Sequence, residues 1–292
     1  MSQKVLITGA NGQLGKELVE LFTEKGFEVY GFGREKMDIT NQPQVQEMIS
    51  TLKPNIVLHS AAHTQVDLAE SEPEQAFLIN AYGTRNVAVA AEAVGAKLVY
   101  VSTDYVFDGT TNEPYNEFSP TSPLGVYGRS KLAGEQFVRD FHSKFFIVRT
   151  SWVYGKHGAN FVKTMLKMGE DRKEISVVAD QKGCPTYTLD LANSILEFIR
   201  TEKYGIYHVS NSGSCSWYEF AKAIFDITGM DVDVKPCSSQ DFPRPAARPK
   251  YSVLEHQAVK MNSFRQMNHW EKSLASFLSS NRVFNNKPSL LS

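Results

Sequence analysis

The sequence predicts an α/β fold, a doubly wound parallel sheet of the Rossmann type joined to a smaller C-terminal lobe. Short β-branched apolar runs alternate with helical periodicity through the first half of the chain, and the first run ends in Gly9-Ala-Asn-Gly12-Gln-Leu-Gly15. The chain has 292 residues, 42% hydrophobic and 22% charged, enough to bury the core of one large domain or two.

Val5-Leu-Ile reads as the first strand, closing at Thr8-Gly9, and Leu14, Leu18, Val19, Leu21 and Phe22 then recur at helical spacing. Phe27-Glu-Val-Tyr-Gly-Phe is a second strand, Asp38-Ile-Thr40 is read as the cap of a helix running to Leu52, and Asn55-Ile-Val-Leu-His-Ser is a third strand. One long helical stretch carrying Ala76, Ile79, Val87 and Val89 precedes Lys97-Leu-Val-Tyr-Val-Ser, and the Tyr127 helix precedes Phe145-Phe-Ile-Val-Arg-Thr. Right-handed crossovers stack such units in parallel with helices on both faces.

After Trp152 the rhythm loosens. Strands are expected at Ile175-Ser-Val-Val and Ile206-Tyr-His-Val, and helices at Leu189 to Ile199 and Trp217 to Ile227. The expected division is 1–152 for a dinucleotide-binding domain and 153–284 for a mainly substrate-binding lobe whose elements can return to the first sheet. The segment 285–292 reads as a frayed tail. Pro236 to Pro249, rich in proline and arginine, is expected to be extended and to edge a cleft.

Composition narrows the function. Thirty-one basic and 32 acidic side chains give a formal charge of -1, which offers no footprint for nucleic acid or an anionic membrane. Cys184, Cys215 and Cys237, odd in number and without close pairs, indicate neither a disulfide framework nor a zinc site, so no metal is expected. With no secretory pattern in Met1 to Ala10 and no long apolar stretch, a cytoplasmic location is expected. Nothing in the sequence sets the oligomeric state, and a homodimer is neither required nor excluded.

Gly9, Gly12 and Gly15 follow a strand and open a helix, where missing side chains allow a tight turn, close approach of a pyrophosphate and helix–strand packing. At the end of the second strand Gly33-Arg34 replaces the acid that commonly holds a ribose 2′-hydroxyl, so Arg34 is expected to pair with a 2′-phosphate. NADPH is favoured, with NADH the alternative. Asp38-Ile39 is expected near the adenine, Asp38 bonding its edge, capping the next helix, or both. Ala62, His63 and Thr64 stand at the carboxyl end of the third strand, where such a sheet receives its ligand.

Ser102-Thr103-Asp104 closes the fourth strand at the same rim. Tyr127 and Lys131 lie four apart, on one face of a helix, so the Lys131 ammonium is expected beside the Tyr127 phenol, favouring its ionised form. A phenol tuned in this way is a general acid for carbonyl reduction, with Thr103 hydrogen-bonded to the carbonyl oxygen.

The strings Ser102-Thr-Asp-Tyr-Val-Phe-Asp-Gly109, Tyr127-Gly-Arg-Ser-Lys131 and Arg149-Thr-Ser-Trp-Val-Tyr-Gly155 resemble the dTDP-4-dehydrorhamnose reductase family, extended short-chain reductases. The resemblance continues through Ala61 to Asp67, Glu70 to Pro73, Asn80 to Thr84, Asp180 to Thr186 and Arg248-Pro249, nearly the whole chain. It implies reduction of the 4-keto group of dTDP-4-dehydro-6-deoxy-L-mannose by a nicotinamide cofactor. Tyr127 would donate the proton, Lys131 would lower its pKa and hold the nicotinamide ribose, and Thr103 would orient the carbonyl. Asp104, Trp152 and Arg248 would meet the substrate, and Gly12, Gln13 and Leu14 the pyrophosphate. Some family members dimerise through a glutamate-held magnesium ion. Glu17 matches one such position, but Tyr187-Thr188-Leu189 supplies no second carboxylate, so that link is not expected here.

Two other readings share these features. A nucleotide-sugar dehydratase or epimerase would call for a second acid after Asp104, where Tyr105 stands. A non-catalytic dinucleotide-binding regulatory subunit would not need Tyr127, Lys131 and Thr103 together.

Overall fold

The computed structural model describes residues 2–280; the tail expected at 285–292 lies outside them. The first half alternates as expected: β1 (Lys4–Thr8), α1 (Gln13–Glu24), β2 (Glu28–Phe32), α2 (Gln42–Leu52), β3 (Ile56–His59), α3 (Val66–Ser71), α4 (Pro73–Phe77), a π-helical turn at Leu78–Gly83, α5 (Thr84–Ala93) and β4 (Lys97–Thr103). A 3₁₀ turn at Asp104–Val106, α6 (Val126–Phe141) and β5 (Phe145–Thr150) complete it. Then come β6 (Val153–Tyr154), α7 (Phe161–Asp171), β7 (Glu174–Val178), β8 (Lys182–Gly183), β9 (Thr186–Tyr187), α8 (Thr188–Ile199), β10 (Gly205–His208), β11 (Cys215–Ser216), α9 (Trp217–Thr228), β12 (Asp233–Cys237), α10 (Gln257–Met261) and α11 (Trp270–Ser280).

Six strands form one parallel sheet in the order β10-β5-β4-β3-β1-β2. Val5 pairs with Val29 on one side and Ile56 on the other, so the chain leaves β1 in opposite directions and opens a crevice beyond the carboxyl ends of β1 and β3. Nearly continuous apolar strands are what a sheet covered on both faces requires. One face is packed by Leu18 and Phe22 of α1 with Leu191 and Ile195 of α8. The other is packed by Val45 and Ile49 of α2, Val87 of α5 and Val138 of α6.

The second lobe has its own core of Val162, Phe220, Ile224, Leu274 and Phe277, braced by three two-stranded pairings, β6 with β9, β7 with β12 and β8 with β11. β10 returns to the main sheet and pairs with β5.

Local expectations changed in three places. The cap of α2 is Asn41, whose side chain accepts from the Gln44 amide at 3.2 Å, while Asp38 accepts from the amide and hydroxyl of Thr40 in the turn before it. The long helix expected from Ala76 to Val89 is present and runs unbroken through α4 and α5, but it widens into a π-helical segment at Leu78–Gly83, where Asn80 reaches across to the chain at His63. Pro236 belongs to β12, paired with Val177, so the irregular stretch begins only after Cys237.

Candidate active site

The crevice has two unlike walls. The first is the turn between β1 and α1. Gly9 has φ +66°, and a Cβ there would lie 2.7 Å from the Ala61 backbone. One on Gly15 would overlap the Gly9 carbonyl oxygen, so only glycine lets α1 start this close to the turn that leaves β1. The start of α1 has no side-chain cap and no acidic residue in its first turn, which leaves backbone N–H groups and the positive helix end for an anion. A dinucleotide's pyrophosphate fits this cradle.

Leu14 is buried in the sheet core. Gln13 points instead to the second lobe, donating to the Val153 carbonyl at 3.0 Å and accepting from Asn160 at 2.9 Å, so its side chain is a clasp and its amide is the group left for a phosphate. Arg34 is largely exposed at the end of β2, 3.8 Å from Asp38, where it is free to turn toward a ligand. Ile39 packs its side chain toward Gly83, and its carbonyl accepts from Asn86, so it contributes a wall rather than a polar contact.

At the end of β3, His63 is held through its backbone, its amide donating to Asn80 Oδ1 at 2.7 Å and its carbonyl accepting from Asn80 Nδ2 at 3.1 Å. Asn80 also donates to the Ser130 hydroxyl, fixing Ala62-His63-Thr64 against α6. His59, fully buried between Thr8 and Thr84, is lowered to about 3 by burial and by the Lys131 charge, so it is a neutral structural ring.

The second wall is built by β4, β5 and α6. Thr103 and Asp104 are both buried at the end of β4. The Thr103 hydroxyl accepts from the Tyr105 amide at 3.2 Å, donates to Asp104 Oδ1 at 3.1 Å, and lies close enough to the Tyr127 phenol to pull its pKa down. It is thus both the cap of the 3₁₀ turn and the neighbour of the candidate acid. Asp104 Oδ2 has no hydrogen-bond partner, and burial pushes its carboxyl up to about 6 against the pull of the Ser252 and Thr103 hydroxyls.

The expected Tyr127–Lys131 contact is not formed. Lys131 donates to the Val101 carbonyl at 2.7 Å and sits 4.1 Å from the centre of the Tyr100 ring. Burial pushes the Tyr127 phenol up to about 12, opposed by the Thr103 hydroxyl and reinforced by the Asp104 charge. The four-residue spacing does place both side chains on the sheet side of α6, but the β4 carbonyl, a fixed acceptor, takes the ammonium. A phenol so raised is fully protonated at neutral pH, and an alkoxide is a far stronger base than a phenolate, so proton transfer to a newly formed alkoxide remains downhill.

Trp152, just beyond β5, has φ 47°, a left-handed backbone that costs a non-glycine residue about 1–3 kcal/mol. Its indole stacks on Trp217 with centroids 3.5 Å apart and packs against Gly183, making a flat aromatic wall. Arg248 is spent in a bidentate pair with Asp67, at 3.1 and 3.0 Å, and its charge lies beside Tyr105. It anchors the proline-rich stretch at the rim of the site. Sequence reasoning gave no role to Asp67, Asn80 or Trp217, although Asp67 and Asn80 lie within strings that carried the family resemblance.

Glu17 is buried, accepting from Thr188 at 2.9 Å with Lys156 at 3.7 Å. No cluster of three or more His, Cys, Asp or Glu side chains is arranged for a metal among the described residues, and no helix among them is long and apolar enough to cross a membrane.

Known proteins can now be set beside this geometry. Residues 3–283 match the family model described as the RmlD substrate binding domain. A dTDP-4-dehydrorhamnose reductase from Bacillus anthracis str. Ames, solved in complex with NADP, superposes with a TM-score of 0.95 at 54% identity, covering 96% of this chain and 100% of that one. The spore coat polysaccharide biosynthesis protein SpsK of Bacillus subtilis (strain 168) is 44% identical over 94% of this chain and 96% of its own length. The dTDP-4-dehydrorhamnose reductase of Streptomyces griseus is 41% identical over 92% and 91%.

Proposed function

The chain belongs to the dTDP-4-dehydrorhamnose reductase family of extended short-chain reductases, and on that premise we propose that it reduces the 4-keto group of dTDP-4-dehydro-6-deoxy-L-mannose to give dTDP-L-rhamnose, in the cytoplasm. The observation that carries this reading is the enclosed Tyr127 phenol beside the Thr103 hydroxyl, at the rim shared with the glycine cradle. NADPH, the coenzyme favoured by Arg34, supplies the hydride when bound.

The protein's own residues do the rest. Gly9, Gly12 and Gly15, with the amides of Gln13 and Leu14, receive the pyrophosphate, and Arg34 the 2′-phosphate. Ala62, His63, Thr64, Asp38 and Ile39 border the nucleoside portions. Tyr127 gives its proton to the C4 oxygen, while Thr103 positions the phenol and orients the carbonyl. Lys131, on α6 and held by the Val101 carbonyl of β4, presents its ammonium toward the nicotinamide ribose. Asp104 and Trp152 meet the sugar, and Arg248, fixed by Asp67, anchors the proline-rich segment at the rim beside it. As a buried acid near 6, Asp104 offers either a donor or an acceptor to a sugar hydroxyl.

Purified protein is expected to consume one NADPH per 4-keto sugar nucleotide, and Tyr127→Phe to keep coenzyme affinity while losing about 10³-fold in turnover. Coenzyme binding without any substrate-dependent oxidation would favour a regulatory subunit. A dehydrated product without net coenzyme consumption would favour a dehydratase.

A further inference from the structure

We infer that Glu135 is a positioning residue for the reduction, a buried carboxylate that keeps Lys131 charged and locks α6 to the ends of β4 and β5. The inference rests on the role proposed for Lys131 in the reductase reading.

Tyr127, Lys131 and Glu135 recur every four residues along α6, so they form one stripe facing the sheet. Glu135 is 2% exposed. Its Oε1 accepts from the Ser102 hydroxyl at 2.5 Å and from Arg149 Nε at 2.9 Å, and its Oε2 accepts from Arg149 Nη2 at 2.6 Å. Ser102 is paired in register with Arg149, and Arg149 with His208, so a polar row crosses β4, β5 and β10 one turn of α6 beyond the lysine. Ser102 also lies between Val101, which accepts from Lys131, and Thr103, whose hydroxyl lies beside the Tyr127 phenol. Every anchor of the site on β4 is therefore adjacent to an anchor of Glu135.

The groups facing Lys131 can be named element by element. Tyr127 and Glu135 share its helix, Tyr100 of β4 lies under it, and His59 of β3 is neutral. Arg149 of β5 is engaged by Glu135 itself, and His208 of β10, held neutral chiefly by burial, stands behind Arg149. Burial pulls Lys131 down to about 7, and Glu135 opposes that pull. An ammonium poised there loses its charge on small changes in its surroundings, and Glu135 is the anion that resists this.

The test is Glu135→Gln in the full-length protein, with kcat/KM for the 4-keto sugar followed from pH 5.5 to 9 and Lys131 titrated directly by NMR with labelled lysine. Since the charged lysine is the active form, the alkaline limb should move to lower pH by about one unit, equivalent to about tenfold in the protonation equilibrium. Activity at pH 8 should fall about tenfold and at pH 6 only about twofold, and Glu135→Asp should restore the limb. The double variant E135Q/R149M, which leaves no unpaired guanidinium in the core, should move the limb in the same direction by a smaller amount and covers misfolding of the single variant. An unchanged Lys131 titration in the folded variants, or an equal loss at every pH, overturns the inference. The NMR arm does not depend on turnover, so a wild-type protein that fails to oxidise NADPH would count against the reductase reading and leave the lysine titration to decide on Glu135.

Discussion

The wall of the crevice at α1 and the wall at α6 solve opposite problems. At α1 the site is made by what is missing: Gly9 and Gly15 remove side chains, and the helix start carries no cap and no acid. At α6 it is made by crowding, with Tyr127, Lys131, Glu135, Thr103 and Asp104 packed together, and burial displaces the titrations of Tyr127, Lys131 and Asp104. A binding wall of backbone amides is indifferent to pH and fails by steric overlap. A wall of enclosed ionisable groups fails by losing or gaining a proton.

That contrast can be broken at three points. The largest expected effect is at Asp104, whose carboxyl is raised to about 6 in the folded state from an ordinary value near 4, so folding takes up a proton between those values. Stability therefore falls as pH rises from about 4 to 6, by about 3 kcal/mol in all, and stays lowered above that. Urea denaturation across this range should show the decline in the wild type and a flatter profile in Asp104→Asn; parallel profiles would mean that the carboxyl is not raised.

Smaller, and of a different kind, is Gly15→Ala. The added methyl group collides with the Gly9 carbonyl, an overpacking cost of about 2 kcal/mol, or about thirtyfold in NADPH affinity. Calorimetry should give the same factor at pH 6 and pH 8, and a pH-dependent factor would erase the distinction between the walls. The smallest effect is expected at Arg34, the exposed charge of the open wall. Arg34→Ala should weaken NADPH by about tenfold relative to NADH, and equal losses for both would remove its assigned partner.

Much of the fold was readable because its strands are short, apolar and bounded by turns, and β5 lies where Phe145-Phe-Ile-Val-Arg-Thr places it. The π-helical widening at Leu78–Gly83 was hidden because the contact made there is tertiary: Asn80 bonds to a backbone 17 residues away in sequence. The Tyr127–Lys131 spacing gave the right face and the wrong partner for the lysine, since the competing acceptor is the Val101 carbonyl on another element. Arg149 did leave a trace, a charge inside an apolar strand, which by itself calls for a buried anion. That anion continues the Tyr127–Lys131 stripe by one more turn of α6.

The return of β10 to the sheet, with α8 covering α1 on the way, means that order along the chain and order in space disagree. A polypeptide released after Trp152 would still lack its outermost strand and the cover over Leu18 and Phe22. Stretches made early must wait for ones made late before the nucleotide-facing half is sealed. The two lobes are consequently not exchangeable modules, and a graft that swapped the sugar-facing half for another would have to carry α8 and β10 with it.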